Sequence, residues 1–147
     1  MILEFMKVLH FAGLIGGVSG ATVLALLFKK ALSESALLES VFKISRSTMN
    51  IVWTSIAALA VSGISLSILG SYFPSDGLVF TFKLILSVAI LFLTGYIEFG
   101  VYRKVKAMGT KQSVKAVFNL CKTNCYLSWL VATLWYIVIF LSVYSVK

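Results

Sequence analysis

The sequence is short of charge, of acidic residues above all, and holds one proline and one histidine. Of its 147 residues 12% are charged, which is about half the share found in soluble domains. A chain with so little charge cannot cover a water-facing surface with polar groups, which excludes an ordinary soluble domain. The single proline leaves long helices unbroken. Two cysteines are too few for a disulfide framework.

Apolar sequence is what the chain has in abundance, since 60% of the residues are hydrophobic. Four stretches reach the roughly 20 apolar residues that a helix needs to cross the hydrocarbon of a bilayer. They are continuous and do not alternate with period two, which favours helices over barrel strands. The first stretch is too long for the core of a signal peptide. The sequence therefore predicts an all-α fold, an integral membrane four-helix bundle in a single domain over residues 1–147, with helices at about 3–28, 49–72, 78–102 and 125–146.

The basic residues are concentrated in two segments, 29–48 and 103–124, which hold ten of the 13 lysines and arginines. Short loops rich in lysine and arginine stay in the cytoplasm. We therefore predict a protein of the bacterial inner membrane type with its N-terminus and C-terminus outside. The two basic segments would meet anionic lipid headgroups, and nucleic acid is not expected as a partner. Helical spacing also predicts a short amphipathic interfacial helix over 110–124 and a helical turn or two near 36–44.

The only histidine, His10, lies about two turns inside the outer end of the first helix. Ionisable groups at such depth are costly and usually functional. Gly13, Gly17 and Gly20 share its helix face, which would leave room for a flat macrocycle beside the imidazole. This pattern predicts a haem as a cofactor, with His10 as the metal ligand and the three glycines in the cofactor site. Lys7 and Lys83 lie at a similar depth and would pair with the haem propionates.

A second interpretation of the same residues needs no cofactor. Gly13 with Gly17, and Gly16 with Gly20, form small-xxx-small pairs that let helices pack closely. His10 would then hydrogen-bond a neighbouring carbonyl group, and the lysines would extend to the interface. The protein would be a structural or accessory subunit of a membrane complex or a homo-oligomer.

Glu98 and the two cysteines are the remaining candidates for chemistry. We interpret Glu98 as the partner of Arg103 in an ion pair, with a proton relay as the alternative. Cys121 and Cys125 are spaced i, i+4 and provide half a metal site at most, so we interpret them as packing residues. The sequence shows no nucleophile–base pair, phosphate loop or carboxylate cluster, and catalytic residues stay unknown.

Three segments resemble a superfamily of small membrane proteins that includes the CopD-type copper-resistance domain, the DUF2269 proteins and the HemJ-type protoporphyrinogen oxidases. The segments are Lys7-Val8-Leu9-His10-Phe11-Ala12-Gly13, Ser62-Gly63-Ile64-Ser65-Leu66, and Phe82-Lys83-Leu84 with the helix that ends in Tyr102-Arg103-Lys104-Val105.

The resemblance implies haem b on His10, a functional role for Lys83 and, at most, a haem-dependent membrane oxidoreductase. The pattern has a second histidine midway along the third helix, where this chain reads Phe92-Leu93-Thr94-Gly95. Haem would then have one protein ligand, a ligand from another subunit, or none. The CopD-type relatives imply copper or small-solute transport as a third function, although the methionines and cysteines are scattered over both membrane faces.

Overall fold

A computed structural model describes residues 1–69, 77–102 and 114–144, and nearly all of them are helical. The elements are α1 (Ile2–Ser33), α2 (Leu38–Leu69), α3 (Gly77–Gly95) and α4 (Val114–Tyr144). A π-helical segment, Tyr96–Tyr102, continues α3, and a 3-10 turn, Ser35–Leu37, joins α1 to α2. All four helices are long and apolar enough to cross a membrane. The predicted all-α membrane four-helix fold is thereby confirmed.

The first hairpin is helical over more of its length than the predicted boundaries allowed. Helix α1 continues to Ser33 and α2 begins at Leu38, within the segment 29–48 that was predicted to be mostly loop. Residues 29–48 contain neither proline nor glycine, the two strongest helix breakers, and the helix is interrupted there only by the short turn between Ser33 and Leu38. We call the end of the bundle that holds this turn the hairpin end, and the opposite end the His10 end.

The predicted interfacial helix over 110–124 and the fourth span are one continuous helix from Val114 onward. Cys121 and Asn124 on this helix are buried, whereas Lys122 and Thr123 are exposed. The first residues of the predicted interfacial helix belong to segment 103–113, which lies outside the described residues, as does segment 70–76.

Helix α1 is the centre of the packing, because it lies against α2 on one side and α4 on another, while α3 packs mainly on α4. The core follows this arrangement and includes Leu14, Leu24 and Phe28 of α1, Val52 of α2 and Trp135 of α4. Large apolar side chains remain exposed along α3, among them Phe80, Phe82, Leu84, Ile85 and Phe92. Exposed apolar surface of this extent is expected for helices that face lipid.

Candidate functional site

The imidazole of His10 is held by the hydroxyl of Ser62, which lies on α2. The distance from His10 Nδ1 to Ser62 Oγ is 3.0 Å. Ser62 Oγ is also 2.6 Å from the carbonyl oxygen of Ala58, to which it donates its hydrogen bond. A serine hydroxyl has one proton, so Ser62 must accept the bond from Nδ1–H of His10. The neutral imidazole is therefore protonated on Nδ1, and its Nε2 carries a lone pair.

The described neighbours of His10 include a glycine of α2 and a lysine of α3. The imidazole is half-buried and lies beside Gly63 of α2. A Cβ atom added to Gly63 would be 3.9 Å from His10 Cε1, and no other described residue across the helix surface lies within 4 Å of it. Lys83 of α3 lies within electrostatic range of His10. The structure thus places two of the predicted site residues, His10 and Lys83, at the same end of the bundle.

The predicted glycine stripe lies against neighbouring helices. A Cβ atom added to Gly13 or Gly20 would come within 3.0 Å of Leu59 or Val52 of α2, respectively. At Gly17 the added atom would come within 3.0 Å of the indole ring of Trp135 on α4. The space above these glycines is occupied by protein side chains. The structure therefore does not place the glycine stripe beside an open volume next to His10.

Lys7, the other predicted propionate partner, forms an ion pair with Glu4. The distance from Lys7 Nζ to Glu4 Oε1 is 2.9 Å, and both side chains are largely exposed. The pair spans one helical turn, and such exposed pairs contribute little stability.

Glu98 lies in the π-helical segment and connects it to α2. The indole Nε1–H of Trp53 donates a hydrogen bond to Glu98 Oε2, and both side chains are half-buried. The predicted partner Arg103 is outside the described residues. π-Helical turns are frequent at functional sites, which makes this segment a secondary candidate.

Cys121 and Cys125 are buried and reduced. Cys125 Sγ is 3.9 Å from the carbonyl oxygen of Ala25, so this thiol packs against α1 as a weak donor. Over the described part of the chain, no three side chains among histidine, cysteine, aspartate and glutamate are grouped so as to hold a metal ion. Any metal bound at His10 would need other ligands.

The sequence analysis did not identify Ser62 as the partner of His10, although a signal for it exists. His10 and Ser62 lie the same number of residues before and after Ala36, the middle residue of the 3-10 turn. The pairs Gly13 with Leu59 and Gly20 with Val52 have the same relation to Ala36. An antiparallel hairpin centred on Ala36 would have predicted all three contacts.

No family model, no curated protein and no solved structure matches this chain. The resemblance to the CopD, DUF2269 and HemJ-type proteins accordingly stays a prediction. What the helices themselves establish is a small integral membrane protein with four apolar helices and one histidine on the face between α1 and α2.

Proposed function

We propose that the protein binds haem b through Nε2 of His10 and takes part in electron transfer or porphyrin handling at the membrane. The observation that carries this proposal is the hydrogen bond between His10 Nδ1 and Ser62. Histidines that ligate a metal ordinarily donate their other ring N–H to a neighbouring group, which fixes the tautomer and the ring orientation. Ser62 provides this second contact and leaves Nε2 as the ligating atom.

The residues around His10 fit such a group. Gly63 lies beside the imidazole and has no side chain of its own, and Lys83 supplies a cation for a propionate. Lys7 supplies a second cation at the same end once it leaves Glu4. The stripe of Gly13, Gly17 and Gly20 is filled by α2 and α4, so we assign the cofactor to the Gly63 side of His10. When bound, haem would supply one-electron transfer, and this chain would hold and orient it.

An absorption spectrum tests the proposal. The wild type, expressed with ample haem and purified in detergent, should show a Soret band. His10→Ala should lose it while retaining its helix content by circular dichroism. Ser62→Ala keeps His10 but removes the hydroxyl that accepts the hydrogen bond from Nδ1–H. The haem affinity of this variant should fall by roughly 10- to 100-fold. A wild type without a Soret band would overturn the proposal.

The second candidate is a cofactor-free subunit of a membrane complex or a homo-oligomer. The observation that favours it is the glycine packing, because Gly13, Gly17 and Gly20 all serve contacts between helices. Under this alternative the Ser62 bond serves only to satisfy a half-buried histidine. Native mass spectrometry and co-purification distinguish the two candidates. A solitary monomer with bound pigment would exclude the second, whereas a pigment-free oligomer or complex would support it.

A further inference from the structure

The four helices meet at a small cavity in the half of the bundle nearer the hairpin end. Each helix contributes to its wall, with Leu24 from α1, Met49 from α2, Thr94 from α3 and Ser128 from α4. Its volume is about 10 Å³, close to the smallest space that holds one water molecule. A cavity lined only by apolar groups would stay dry, so the polar groups in its wall decide what it contains.

Two hydroxyl groups in this wall have no partner in the described part of the chain. Thr94 is 2% exposed and Ser128 is 1% exposed, and neither hydroxyl oxygen is hydrogen-bonded. Hydroxyls elsewhere on these helices donate to the carbonyl group one turn earlier, as Thr133 does to Trp129 and Ser142 to Val138. Thr94 and Ser128 do not form this bond, although any serine or threonine hydroxyl in a helix can reach the carbonyl group one turn earlier.

A third buried polar side chain, Asn124, lies on the hairpin side of Ser128. It lies one turn before Ser128 on the same face of α4 and is 0% exposed. Neither the oxygen nor the nitrogen of its carboxamide has a hydrogen-bond partner among the described residues. Thr94 on α3 and Asn124 and Ser128 on neighbouring turns of α4 are thus three buried polar side chains without described partners, and an ordered water molecule commonly satisfies such groups.

We propose that this junction is a built water site, in which a water molecule in the cavity hydrogen-bonds to Thr94 Oγ1 and Ser128 Oγ. Water fits because both wall groups are neutral and each can donate or accept. A bare cation is disfavoured because none of the described residues that line the cavity is a carboxylate, and an uncompensated charge is costly at this depth. The bound water would join α3 to α4 where no direct side-chain hydrogen bond between them is found in the described residues.

Met49 makes the site testable by radiolytic footprinting. A short X-ray pulse makes hydroxyl radicals from bound water, and these oxidise the nearest reactive side chains. Met49 lines the cavity but is 5% exposed, so bulk solvent reaches it poorly. We expect rapid oxidation of Met49 in the wild type and a severalfold slower rate in Thr94→Val/Ser128→Ala. An unlabelled Met49 in the wild type, or equal rates in both proteins, would overturn the proposal.

A double-mutant cycle gives a second, independent measurement. If one water bridges the two hydroxyls, Thr94→Val or Ser128→Ala alone should lower the folding equilibrium constant by roughly 2- to 12-fold. The double variant should lose less than the product of the two single losses, because the second substitution acts on a site already broken. Thr133→Val is the matched control, since its hydroxyl is exposed and bonded within its own helix. Dry, independent hydroxyls would instead make both single variants neutral or more stable, with additive effects.

Discussion

At the scale of single residues, the chemistry of His10 is set by one hydroxyl on another helix. Ser62 donates a hydrogen bond to the carbonyl oxygen of Ala58 and accepts one from Nδ1–H of His10. This arrangement of hydrogen bonds leaves Nε2 as the ring nitrogen with a lone pair. Without Ser62 the imidazole could adopt either tautomer, and the site would lose its defined ligating atom.

Substituting Ser62 by alanine tests this bond through stability as well as through haem. Ser62→Ala should lower the free energy of unfolding by about 1 kcal/mol, because the half-buried Nδ1–H loses its acceptor. Ser67→Ala is the matched control, since Ser67 donates only to the carbonyl group of Gly63 in its own helix. The control should change stability by less than about 0.5 kcal/mol. Reversible unfolding in detergent measures both, and equal losses in the two variants would contradict the assigned role of Ser62.

Gly17 offers a second residue-scale prediction, because its missing side chain makes room for Trp135. In Gly17→Ala the added methyl group would come within 3.0 Å of the indole ring, and overpacking of this kind costs about 1–3 kcal/mol. Gly95→Ala is the control, since an added Cβ there meets none of the residues that the structure describes within 4 Å. We expect the control to be neutral or slightly stabilising in the same unfolding assay. A loss at Gly95 as large as the loss at Gly17 would show that helix packing is not the cause.

At the scale of elements, α1 and α2 form a tight hairpin, whereas α3 is attached more loosely. Helix α3 packs mainly on α4, and its π-helical extension reaches α2 through the bond from Trp53 to Glu98. This bond and the proposed water site lie in the same half of the bundle. Among the described residues of that half, the bond from Trp53 is the side-chain hydrogen bond that connects α3 and its extension to another helix, and the proposed water would add a second polar connection.

The Trp53–Glu98 bond should therefore contribute to the attachment of α3. Trp53→Phe and Glu98→Ala should each lower the free energy of unfolding by about 1–3 kcal/mol, because a half-buried partner is left without its bond. Glu98→Gln keeps an acceptor oxygen for the indole N–H and should lose less than half of that amount. If the glutamine variant is as unstable as the alanine variant, the negative charge of Glu98 matters more than the bond to Trp53.

At the scale of the whole molecule, four apolar helices make lipid the solvent of the outer surface. A soluble bundle would place polar residues where α3 exposes Phe80, Phe82 and Phe92. The charge distribution bears on the orientation of the protein in the membrane, because the lysines and arginines are concentrated in segments 29–48 and 103–124. We propose that these segments face the cytoplasm.

Labelling in intact cells tests both the insertion and the orientation. The protein should stay with the membrane through an alkaline wash, and tags at both termini should be reached from outside. A cysteine introduced at the exposed Ala36 should react only after the membrane is permeabilised. The native thiols should not react with the label, since Cys121 is 0% and Cys125 is 9% exposed. Tags accessible only from the cytoplasm would contradict the orientation.

The sequence by itself determined the fold class and the number of helices. It also placed His10, the only histidine, inside the first apolar helix. These follow from local properties, since hydropathy over about 20 residues decides whether a segment crosses a bilayer. The helical character of segment 29–48 was also present in the sequence, in its lack of proline and glycine, but the basic residues there favoured a loop.

Only the tertiary structure decided which groups meet across helices. The partner of His10, the filling of Gly13, Gly17 and Gly20 by side chains of α2 and α4, and the burial of Thr94 and Ser128 all depend on the register between helices. Register is a non-local property: it is set by the position of the turn at Ala36 and by the packing of α1 against α2 and α4. A glycine stripe has the same pattern along the chain whether it faces a cofactor or a tryptophan, so the neighbouring helix has to be placed before its role can be assigned.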